Sequence, residues 1–90
     1  MPKFLVVHPL PAPATVAEAT PAGKAAKANN TVDAYWIGAW GQCNEKGKIV
    51  KILCQWNATS AEEVSKVLAK VPIPLEGIYP MIVVDAEDYR

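Results

Sequence analysis

DAYWIGAWGQCNEKGKIVKILCQWN, residues 33 to 57, is the stretch that decides the fold. Both of its ends are dense in β-branched and aromatic residues, while CNEKGK between them is polar and contains Gly47, so the stretch reads as a β-hairpin. Upstream, KFLVVH at residues 3 to 8 is a short apolar run ended by Pro9, Pro11 and Pro13, a pattern that predicts a buried first strand followed by a stiff loop. Thr15 and Glu18 have capping-box spacing, and Thr20 before Pro21 looks like an N-cap followed by a proline at the first helical position. A helix is therefore expected over about 21–29, closed by Asn29 and Asn30. Downstream, Ser60 and Glu63 form a second capping box. Val64, Val67, Leu68 and Val71 then repeat on one helical face, which predicts a helix over about 61–71 that Pro72 and Pro74 stop. GIYPMIVVD, residues 77 to 85, supplies a last strand, with Pro80 suited to an edge.

The order β, α, β, β, α, β is the split βαβ, or ferredoxin-like, arrangement. It implies an α+β fold in one domain, residues 1–90: a four-stranded antiparallel sheet with both helices on one face. Right-handed crossovers put the first strand beside the third and fourth, with the second at the far edge. The strands are apolar on both faces, so the face without helices needs a cover, and a homodimer or larger assembly with sheets packed face to face is expected.

Composition narrows the function classes. With 51 % hydrophobic and 20 % charged residues the chain reads as one globular core. Nine basic against nine acidic residues, with a pI near 6.5, leave no electrostatic footprint for nucleic acid or an anionic membrane. MPKFLVVHPL lacks a signal-peptide h-region and no run reaches transmembrane length, so a cytosolic protein is expected. Cys43 and Cys54 have no CxxC spacing and read as free thiols. No phosphate loop, GxSxG elbow or paired carboxylates are found, which removes the basis for hydrolase and kinase readings.

Alternation places Val50, Ile52, Cys54 and Trp56 on the helix side of the third strand, and Ile49, Lys51, Leu53 and Gln55 on the open face. Phe4, Val6 and His8 share a face of the first strand. His8 is assigned to the open face, away from the helix-covered core. As the single histidine it is the candidate acid, base or metal ligand. Trp36, Gly38 and Trp40 project together by alternation, leaving a slot between two indoles for a flat ligand or a partner's side chain. Tyr79 can come near His8 and complete an acid/base pair. His8 and Cys54 are the metal candidates, yet His8 falls opposite Lys51, about three residues or about 10 Å from Cys54, and on the other face. A metal site would therefore draw on Cys43, on Asp85, Glu87 and Asp88, or on a second subunit.

MPKFLVVHPLP, YWIGAW, KIVKILCQW and ATSAEEV, in that order, resemble a family of small bacterial ferredoxin-like proteins with a nickel-binding branch, and the resemblance covers most of the chain. It implies a possible transition-metal cofactor, nickel first, with Cys54 matching the third-strand cysteine. Gly38 stands where the family often has a histidine, and His8 is the substitute ligand. The topology is also similar to the dimeric α/β-barrel superfamily, whose cofactor-free monooxygenases, cyclases and isomerases imply an apolar pocket. His8, Trp36, Trp40, Gln55 and Tyr79 are available to serve such a pocket. Three functions are therefore expected in order: an oligomeric protein binding a small molecule or metal ion; a cofactor-independent enzyme with His8 as base and an apolar aromatic substrate; and a structural assembly subunit.

Overall fold

A computed structural model describes residues 1–89. Its elements are β1 (Lys3–Ala14), α1 (Val16–Ala28), β2 (Ala34–Cys43), β3 (Ile49–Ala58), α2 (Ala61–Leu68) and β4 (Gly77–Met81), followed by a short 3-10 turn, Ala86–Asp88. The sheet is antiparallel with strand order β2-β3-β1-β4. This is the ferredoxin-like α+β arrangement, with β1 and β3 central and both helices on one face.

Four element boundaries differ from expectation: α2 ends at Leu68 rather than about 71 and β4 at Met81 rather than 85, and β1 and α1 change by more. β1 continues through its prolines to Ala14. β4 pairs only with Lys3 to Val7, and the ladder to β3 is interrupted between Pro9 and Ala14, so the missing N–H groups of Pro11 and Pro13 cost no ladder bond. α1 starts at Val16, five residues earlier than Thr20 and Pro21 suggest. Thr15 is its N-cap: the Thr15 hydroxyl accepts from Glu18 N at 3.2 Å, and Glu18 Oε1 accepts from Thr15 N at 2.9 Å. Pro21 lies inside the helix and leaves the Ala17 carbonyl without its usual donor, which an exposed residue can offset with water.

Irregular pairing changes the faces in the hairpin. Trp36 lies opposite Trp56 and Gly38 opposite Gln55, so Ile37 is an extra residue, a β-bulge that breaks the alternation. Trp36 consequently turns to the helix side while Trp40, opposite Leu53, stays on the open face. A second shift pairs Gln42 with Lys51 and Cys43 with Ile49, and it moves Ile49 to the helix side, where it is buried. A Cβ on Gly41 would approach Ile49 Cγ1 to 3.2 Å, so glycine is what lets β2 pass there.

The core lies between the sheet and the helices. Phe4 and Val6 of β1, Cys54 and Trp56 of β3 and Val64, Val67 and Leu68 of α2 form it, with Val71 just beyond. α2 presents one apolar stripe to this core, whereas α1 buries only Ala26. Replacing the true cap, Thr15→Ala, is expected to lower stability by about 1 kcal/mol. Thr20→Ala should stay within about 0.5 kcal/mol, and urea unfolding of the two variants checks the difference.

Candidate functional site

Thin cover by α1 leaves space beneath it. A cavity of about 280 Å³ lies between α1 and the sheet. Small residues of the helix, Ala19, Ala22, Gly23 and Ala26, form its roof; Trp36, Ile52, Cys54 and Trp56 form the floor, and His8 and Ile73 also border it. The alternation of β3 puts Ile52, Cys54 and Trp56 there, and direct pairing with Trp56 adds Trp36, whose ring lies 3.5 Å from where a Cβ on Gly23 would be. Among the described residues no Lys, Arg, Asp or Glu borders the cavity.

His8 is buried at 2 % exposure on the helix side, not on the open face. The expected cost of putting an imidazole there is reduced by one bond: Nδ1–H donates to the Pro74 carbonyl at 2.7 Å. Because a carbonyl can only accept, the bond fixes the neutral tautomer with its lone pair on Nε2. Burial lowers the pKa of His8 below its ordinary value, and the bond to Pro74 opposes that only in part.

His8 lies opposite Ile52, one residue from the expected register, and Cys54 lies opposite Val6. The two side chains therefore share a face as diagonal neighbours, about 7–8 Å apart by strand geometry. Burial pushes the Cys54 thiol up to about 11, with the neighbouring Trp36 side chain pulling weakly the other way. Both cysteines are free. Trp36 Nε1–H donates to the Gly38 carbonyl at 2.8 Å, and the buried Trp56 Nε1–H has no partner among the described residues.

The remaining expected site residues go elsewhere. Trp40 and Gln55 border a groove of about 410 Å³ on the open face with Lys3, Leu5, Ile37 and Leu53. Gly38 faces the same way opposite Gln55, and a Cβ on it would meet nothing within 4 Å, so the slot between two tryptophans does not form. Tyr79 lies opposite Leu5 and folds over Gly77, whose missing Cβ would come within 2.5 Å of its hydroxyl. It is on the opposite face from His8, and the two make no acid/base pair. Sequence reasoning missed Pro74 as the partner of His8 and the helix roof. The only signal for the roof was the run of Ala and Gly in α1.

No family model matches this chain, and no curated protein matches it. Among solved structures it is similar to SCO4226 from Streptomyces coelicolor A3(2), with a TM-score of 0.75 and 20 % identity over 92 % of this chain and 99 % of that one. At that identity the likeness bears on the fold alone.

His8 makes stability depend on pH. Its folded pKa is below the unfolded value of about 6.5, so the unfolded chain binds more protons as pH falls through that value. The contribution is complete above about pH 6.5 and declines below it towards the folded pKa. His8→Asn, which keeps a donor for Pro74 but does not titrate, is expected to flatten this decline in urea unfolding between about pH 5 and about pH 8.

Proposed function

We propose that this chain is a small-molecule-binding protein whose ligand occupies the cavity under α1. The observation that carries this reading is an apolar, charge-free cavity bordered by a histidine whose one protein bond leaves its second nitrogen available. Pockets for ordinary ligands occupy about 300–1,000 Å³, and a dry cavity of about 150 Å³ accepts benzene. A volume of about 280 Å³ thus suits a molecule of one or two rings. Toluene and naphthalene are expected to shift the amide resonances of Gly23, Gly41 and Cys54, and Ala19→Leu to weaken their binding at least about ten-fold by filling the space. Shifts that survive Ala19→Leu would count against this cavity as the site.

A cofactor-independent enzyme with His8 as general base would use the same cavity, because an oriented neutral imidazole is the form a base needs. Tyr79 does not serve as its acid. A metal ion, nickel by resemblance, fits the cavity less well. His8 and Cys54 are only two donors, the thiol is held away from the thiolate form a metal requires, and no group of three His, Cys, Asp or Glu side chains gathers among the described residues. Nickel uptake would need donors from another copy.

The open face supports self-association. Trp40 is 72 % and Ile37 52 % exposed there, beside the half-buried Leu5 and Leu53, and the chain has no net charge to select a charged partner. A second copy packed face to face would cover them in the manner of a dimeric α/β barrel, and the assembly-subunit reading uses this surface too. Light scattering is expected to give about twice the chain mass of 9.7 kDa, and Leu53→Glu to return it to one chain. Among the described residues no helix is long and apolar enough to cross a membrane. A cytosolic location goes with this proposal.

A further inference from the structure

The geometry points to an uncharged, otherwise apolar ligand that carries a hydroxyl and donates it to His8 Nε2, an inference that rests on the cavity reading above. The direction of that hydrogen bond follows from the loop between α2 and β4. Pro74 O takes the Nδ1 proton at 2.7 Å, and the loop that carries it is tied down on both sides: Ile73 N donates to Val71 O at 2.9 Å and Glu76 N to Val7 O at 2.8 Å. Lys51 and Glu76 add an ion pair at 3.6 Å. With Nδ1 committed, neutral His8 has only an acceptor left to offer.

Other polar groups around the cavity are engaged, shielded or weak: Trp56 Nε1–H has no partner among the described residues, but the nitrogen itself is buried and presents almost no surface to the open space. The Thr20 hydroxyl donates to Val16 O at 2.8 Å, Trp36 Nε1–H to Gly38 O at 2.8 Å, and the Cys54 thiol is protonated and a poor hydrogen-bonding group. An ionised ligand would leave its charge without a counterion in an apolar space. An ether or fluoride of the same shape would leave Nε2 unpaired at a site only 2 % exposed. A hydroxyl satisfies the nitrogen and introduces no charge.

Four probes of one framework separate these cases on the full chain at neutral pH: naphthalene, 2-fluoronaphthalene, 2-naphthol and 2-naphthoate. Titration followed by amide shifts is expected to show 2-naphthol binding about ten-fold or more tighter than 2-fluoronaphthalene, and 2-naphthoate weakest. The imidazole Nε2 resonance should move with 2-naphthol and not with 2-fluoronaphthalene. His8→Phe should bring 2-naphthol and 2-fluoronaphthalene to equal affinity while both still bind. Equal affinities in the unaltered chain, a preference that survives His8→Phe, or 2-naphthoate binding as well as 2-naphthol would each overturn the hydroxyl inference and leave the cavity reading standing. Absence of binding by all four would remove the cavity reading and this inference together. Should His8→Phe fail to fold, the ratio and the Nε2 shift in the unaltered chain decide the matter.

Discussion

Between Trp36, opposite Trp56, and Gly38, opposite Gln55, β2 carries one residue more than β3 can pair, and the face each neighbouring ring serves follows from that excess. Before the bulge, Trp36 turns under α1 and becomes floor for the cavity. After it, Trp40 remains on the uncovered side with Ile37. Had alternation run on from Trp36, both indoles would share the helix side, and the open face would lose Trp40.

His8 shows how a loop distant in sequence can set the chemistry of a strand residue. Its ring is buried where an unpaired imidazole would be costly, and the Pro74 carbonyl, in the connection from α2 to β4, makes that burial tolerable. The same bond decides which nitrogen is free. The tolerance of a buried ring and the choice of its free nitrogen are therefore two results of one contact.

Much of the fold could be read from the sequence because local signals agreed with the global arrangement. The Ser60 cap and the valine repeat defined α2, and the polar CNEKGK with Gly47, which sits at φ +75°, defined the hairpin turn. The strand order followed from handedness. At α1 two capping signals competed, and Thr15 prevailed over Thr20 because an exposed helix can tolerate Pro21 inside it. The site was less legible. A bulge has no strong signature in AYWIGAW, and strict alternation put Trp36 and Trp40 together. His8 was kept from the core on the argument that burial penalises a polar ring. That argument was sound in itself, but its exception, a carbonyl sixty-six positions away, depends on tertiary structure.

The alanine-rich composition of α1 also shapes the free-energy landscape of the folded state. α2 anchors Val64, Val67 and Leu68, whereas α1 commits only Ala26 among its own side chains, so α1 is the more lightly held of the two helices. On the helical side, opening is therefore expected first at the roof, with the sheet and α2 left intact. Were the cavity to hold a ligand as proposed, the exchange of that guest would be governed by how often this lightly held helix comes away.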